Sequence, residues 1–234
     1  MKVPLSSRLR ACCDFVANGD RVADVGTDHG YLGIWLLLEG RARSVIASDI
    51  VPGPLSAARR NAAKFGVSDR MEFCLSDGAQ SIPRDFDTLV CAGMGGDTMI
   101  SILSAAPWLR SAQYRLVLQC QSKTPMLRRY LSENGWRIAE ETVLRDGRFL
   151  YTVMEVWWDP AYPRLTPGEW HFPPALLENP APKLPEYYNW VLRGLKLSAS
   201  HKADPEQEAV IRELEALVED PALDWLKEEQ KWQR

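Results

Sequence analysis

The segment that most narrows what this chain can fold into is VADVGTDHGYL, residues 22–32. The apolar run at 21–25 predicts a buried strand, Gly26 and Gly30 break it, and residues 31–38 resume as an apolar helix. A glycine turn from strand to helix points backbone N–H groups at a space where a ligand can come close. The alternation then continues. Residues 44–48, 71–75, 88–92 and 114–118 read as strands, and 54–65, 98–105 and 125–134 as helices, two of them closed by Gly66 and Gly135. Leu5, Leu9, Cys12, Cys13 and Val16 mark a leading helix. Residues 136–144 and 149–157 flank Asp146-Gly147, a hairpin signal. Strands alternating with helices and finishing in a hairpin predict an α/β fold, a mostly parallel sheet with an antiparallel C-terminal hairpin.

Three zones follow. Residues 1–158 carry this α/β pattern. Residues 159–185 hold eight prolines and read as a linker with no regular helix or central strand. Residues 186–234 are helical again. Leu184, Tyr187, Tyr188, Val191, Leu192 and Leu195 form one stripe, Val210, Ile211, Leu214, Leu217 and Val218 another, and a joint near 201–205 makes them an antiparallel pair. That extension carries 7 Lys/Arg against 11 Asp/Glu, so a polyanion would more readily meet the N-terminal zone. There Arg8, Arg10, Arg41, Arg43, Arg59, Arg60, Lys64, Arg110, Arg115, Arg128 and Arg129 are candidates for a basic surface, most of them expected to be solvated faces.

With 46% apolar and 25% charged residues, the composition excludes a wholly disordered chain. No apolar run approaches the ~18–20 residues of a membrane span. The five cysteines form no C-x-x-C, and His29, His171 and His201 are scattered, so neither a zinc site nor a disulfide framework is expected. Free thiols and a short polar N-terminus point to a cytoplasmic protein with no metal and no membrane partner; the oligomeric state stays open.

The chemistry concentrates at strand ends. A dinucleotide site favours G-x-G-x-x-G, yet Asp24 stands at the first glycine position here. Asp24 and Asp28 would both face a pyrophosphate, and like charges 4 Å apart repel by about 1 kcal/mol in water and about 4 at an effective dielectric of 20. A donor carrying an ammonium and a sulfonium reverses that sign, so the loop favours S-adenosylmethionine over a dinucleotide. Asp24, Gly26, Thr27 and Gly30 then belong to the cofactor turn. Asp49, with Ile50 beside it, ends the second strand, where a carboxylate can accept both ribose hydroxyls. Asp77 and Gly78 follow the third, where they suit an adenine amino group and ring. Ala92 and Gly93 open the glycine cluster after the fourth. A lone strand-end Asp is ordinarily a helix cap; three on consecutive strands beside a glycine turn indicate a ligand site.

VADVGTDHGYL, ASDIVPGPLSAARRN, DTLVCAGMGG and LVLQ…LRRYLSENGW resemble the bacterial tRNA (adenine-22-N1)-methyltransferase family over residues 5–156. The resemblance implies a class I Rossmann-like methyltransferase sheet with a C-terminal helical, coiled-coil-like extension. It also implies S-adenosylmethionine as donor and N1 of a tRNA adenosine as acceptor. Gln121 stands where the family's strand ends in Asn. N1 has an in-plane lone pair and no proton to lose, so catalysis needs alignment and a neighbour for the positive charge that develops on the ring. Asp28 is the first candidate for that role and His29 the second. Asp28 as a helix cap and His29 as a turn filler or cofactor contact are the plainer readings. Methylation of a small molecule or protein, and a non-catalytic RNA- or cofactor-binding module, are the competing functions.

Overall fold

The strands β1 (Asp20–Val25), β2 (Ala42–Asp49), β3 (Met71–Leu75), β4 (Thr88–Gly95), β5 (Arg115–Ser122), β6 (Trp136–Asp146) and β7 (Phe149–Trp158) form one sheet in the order β3-β2-β1-β4-β5-β7-β6. The first five pair in parallel, and β7 runs antiparallel to both β5 and β6. The computed structural model describes residues 2–201 and 204–227.

Both faces of the sheet are covered. Along β1, Val22 belongs to one buried layer and Ala23 and Val25 to the other, as the two-residue period of a strand requires. The layer holding Val22 is closed by α1 (Ser7–Asp14), α2 (Tyr31–Leu38) and α3 (Pro52–Phe65), through residues such as Cys13, Ile34, Leu36 and Ala62. The other is closed by α4 (Gly96–Ala105) and α5 (Thr124–Glu133), through Met99, Leu103, Leu127 and Leu131. Each fully buried Leu or Ile stabilises the fold by roughly 1.5–3 kcal/mol relative to exposure.

Strands β4 and β5 run furthest beyond their expected ends. β4 continues through the glycine cluster to Gly95, and β5 continues to Ser122, because the two segments pair with each other, Met94 opposite Cys120 and Gly95 opposite Ser122. The backbone ladder carries this glycine-rich run as strand with register shifts on either side of Met94 and with Gly93 at φ +81°.

The proline-rich segment also departs from expectation, since it contains two short helices, α6 (Pro167–His171) and α7 (Ala175–Glu178). Pro167 sits in the first turn, where its missing N–H costs nothing, and Thr166 and Glu169 form a reciprocal capping box. Phe172 and Leu176 pack in a third apolar cluster with Val143 of β6, α8 (Leu184–His201) and α9 (Pro205–Leu217). Tyr188 Oη donates to the Leu214 carbonyl at 2.9 Å, tying α8 to α9. Residues 202–203 of the expected joint and 228–234 of the expected extension lie outside the described residues.

One expected surface cation is buried. The Arg128 and Glu141 side chains are both 0% exposed and form a two-pronged pair of 2.6 and 3.1 Å. Arg128 also donates to the carbonyls of Trp170 (3.0 Å) and His171 (2.9 Å) and to Tyr187 Oη (3.2 Å). A guanidinium is tolerated in a core only when paired and hydrogen-bonded in this manner.

Candidate cofactor and active site

A cavity of about 440 Å³ opens where β1–β4 end, within the range of small-molecule sites. Asp24, Gly26, Thr27, Asp28, His29, Asp49, Ile50, Asp77, Gly78, Ala92 and Gly93 all line it. Gly30 does not. It occupies the αL position before α2 at φ +74°, and a Cβ there would meet Ala58 Cβ of α3 at 3.0 Å, so glycine at this point lets α3 come close.

The turn after β1 is fixed by its backbone. Gly26 and Thr27 N–H both donate to the Ser48 carbonyl at 2.9 Å. Gly26 has φ +75°, a conformation that other residues rarely adopt, and a Cβ there would also oblige Met94 Cε, 2.2 Å away, to move. Asp24 is 4% exposed and accepts from Thr27 Oγ1 at 2.6 Å. Burial, joined by the charges of Asp49 and Asp28 and opposed by the Thr27 hydrogen bond, pushes its carboxyl up to about 6.

Asp49 organises the neighbouring loop, accepting from Val51 N–H at 2.9 Å and Asp28 N–H at 3.4 Å. Asp28 takes the left-handed conformation at φ +53°. It does not cap α2, whose N-cap is Gly30 with no side-chain bond. Its carboxylate is exposed at the rim, 3.6 Å from the exposed His29 Nε2.

One lining residue, Arg8, and one buried residue bonded to it, Gln119, also shape this end of the cavity. Gln119, 0% exposed, accepts from Gly93 N–H (3.1 Å) and from Arg8 Nη1 (3.0 Å) through its side-chain oxygen. Arg8 also pairs with Asp146 at 3.4 Å and is the only Lys or Arg among the described lining residues. A Cβ on Gly93, at φ +81°, would lie 3.0 Å from Arg8 Nη1, so glycine lets the β4 end and the guanidinium share this corner. The signal in sequence was a glutamine inside an apolar strand, LVLQC. Cys91, just below, is buried and pushed up to about 12 by desolvation, which leaves an unreactive thiol.

The cavity therefore sets carboxylates at the ends of three adjacent strands against one already-paired guanidinium. Buried Asp24 suits a ligand ammonium, the Asp49 and Asp77 carboxylates suit hydroxyl and amino donors, and a diphosphate would meet like charge. These residues fit S-adenosylmethionine.

Residues 5–154 match the family model described as a methyltransferase domain. The chain is 30% identical over 154 residues to the tRNA (adenine(22)-N(1))-methyltransferase of Bacillus subtilis, and the match spans 65% of each chain. A Streptococcus pneumoniae protein solved in complex with S-adenosyl-L-methionine superposes with a TM-score of 0.79 at 25% identity, over 91% of this chain and 98% of that one. The crystal structure of the B. subtilis m1A22 tRNA methyltransferase shares the fold at a TM-score of 0.76 and 23% identity, over 97% and 98% of the two chains. Both superpositions extend beyond the sheet into the helical C-terminal part.

Proposed function

The chain belongs to the methyltransferase-domain family, and we propose that it transfers a methyl group from S-adenosylmethionine to N1 of an adenosine in tRNA, at position 22. The observation that carries this reading is the acidic cavity at the ends of β1–β4, with Asp24 buried and its carboxyl raised to about 6. Sequence likeness to the B. subtilis enzyme supports the acceptor. Transfer RNA as substrate goes with a cytoplasmic site of action.

When bound, S-adenosylmethionine supplies an electrophilic methyl on a sulfonium. Asp24 holds the donor's ammonium, and Thr27 keeps the Asp24 carboxylate in one rotamer. Asp49 already orders the Asp28 and Val51 amides, and its remaining lone pairs accept the ribose hydroxyls. Asp77 and Gly78 receive the adenine amino group and ring, with exposed Ile50 covering an apolar ring face. Arg8 and Gln119 pin Gly93 so that the end of β4 forms a fixed floor for alignment of the two reactants.

The acceptor base must leave its stack to present N1. No base is required for attack, because N1 has no proton. Asp28 sits at the rim with an exposed carboxylate, where it stabilises positive charge developing on the adenine or accepts the N6 proton. His29, within 3.6 Å, orients that carboxylate.

The test is transfer of labelled methyl from S-adenosylmethionine into unmodified tRNA transcripts, with the modified nucleoside mapped. Label is expected as 1-methyladenosine at position 22 and is lost when that adenosine is changed to guanosine. Label elsewhere, or transfer only to a small molecule or protein, overturns the assignment.

A further inference from the structure

A second cavity, of about 340 Å³, lies where the end of β5 and the start of α5 meet β7 and α8. It adjoins the donor cavity. Gln121 lines it, and Gln121 Nε2 stands 3.6 Å from where a Cβ on Gly93 of the first cavity would be.

We propose that this second cavity binds a nucleobase of the RNA, one flanking the methylated adenosine, by stacking on Trp190 and hydrogen bonding to Thr152. The inference rests on the tRNA reading above. Three independent features carry it. Thr152 is 3% exposed and its Oγ1 has no hydrogen-bond partner, a rare state for a buried hydroxyl and one that the polar edge of a base relieves. Trp190 is 61% exposed at the cavity's edge, a large ring left open to solvent. Aromatic faces next to unpaired hydrogen-bonding groups are how proteins hold splayed-out bases.

The third feature is Gly194, in the interior of α8. A Cβ there would meet nothing within 4 Å, so no packing constraint calls for glycine, and glycine weakens a helix. What the missing side chain leaves is room in this cavity. His171 completes the wall as a neutral ring, since burial and then the charge of Arg128 push it down to about 4. A neutral imidazole offers a flat face and a donor–acceptor pair without repelling a base.

Three full-length variants test the assignment: Gly194→Leu, Trp190→Ala and Thr152→Val. Each is measured by melting temperature, calorimetric affinity for S-adenosylmethionine, and KM for tRNA transcript. Gly194→Leu is expected to melt higher, because leucine favours helix, while raising KM for tRNA about tenfold, within the range of base stacking on an aromatic side chain. Trp190→Ala is expected to raise KM by a similar factor, and Thr152→Val severalfold with no loss of melting temperature. Cofactor affinity stays unchanged throughout. Wild-type KM in Gly194→Leu and Trp190→Ala overturns the proposal and leaves the methyltransferase reading intact. Should Gly194→Leu fold poorly, the exposed Trp190 decides alone. A wild-type chain that neither binds nor methylates tRNA removes both readings.

Discussion

Replacing Asp24 with Asn separates what the cavity does for the fold from what it does for the donor. Burial lifts the Asp24 carboxyl from 3.8 to about 6. The folded state thus holds this proton more tightly than the unfolded chain. Stability from this group is greatest below pH 3.8 and falls as pH rises through the window up to about 6. A shift of that size corresponds to roughly 3 kcal/mol of destabilisation in the ligand-free protein at neutral pH. Asn cannot ionise and still accepts from Thr27, so Asp24→Asn is expected to raise stability at pH 7.5 by up to about 3 kcal/mol and to change little near pH 4. Affinity moves the other way. A bound ammonium needs the ionised carboxylate, so wild-type affinity for S-adenosylmethionine is expected to drop roughly tenfold from pH 7 to pH 5. The variant binds weakly, with this step in the profile removed. Urea melts at pH 4 and 7.5 and calorimetry from pH 5 to 8 measure both arms. A flat wild-type profile between pH 5 and 7, or a variant that binds as well as wild type at pH 7.5, refutes the reasoning.

Asp49→Ala strips the acceptor from two backbone amides and from the ribose site, and should weaken S-adenosylmethionine binding at least tenfold by calorimetry, two hydrogen bonds contributing about 1 kcal/mol each. Asp28→Gly relieves a left-handed aspartate and should stabilise the fold by about 1 kcal/mol. It should lower methyl transfer more than cofactor affinity; equal losses would recast Asp28 as a cofactor ligand. Glu141→Ala leaves Arg128 charged and unpaired in the core and should cost about 3–5 kcal/mol in urea melts. The double change Arg128→Met with Glu141→Leu should recover most of that.

The order of strands and helices was legible because each apolar run alternates with an amphipathic one, and the glycine turns fall between them. The site was legible for a related reason. In a parallel sheet all strands end at the same edge, so Asp24, Asp49, Asp77 and Gly93, far apart in sequence, had to meet. What escaped were interactions across elements. Gln119 gains its meaning from Gly93 on the next strand and Arg8 on α1, neither near it in sequence. Arg128 sits in RRYL beside Arg129, which is largely exposed; only the tertiary fold tells one arginine from the other. Gly30 belongs to the turn after β1 by sequence, and only the fold reveals that its missing side chain also makes room for Ala58 of α3. Prolines counted as helix breakers proved compatible with helix starts, because position within the turn, not number, decides their effect.

The arginine at the heart of the α5–β6 junction has a bearing on how such a chain can be divided. Its five bonds draw on β6, on the proline-rich stretch and on α8, so the sheet-bearing part of the chain borrows some of its interior from residues beyond 158. A shortened protein ending there would strand a guanidinium without three of those acceptors. The helical tail is thus no detachable accessory to be exchanged between relatives, and a graft that ignored it would inherit a fault in the core.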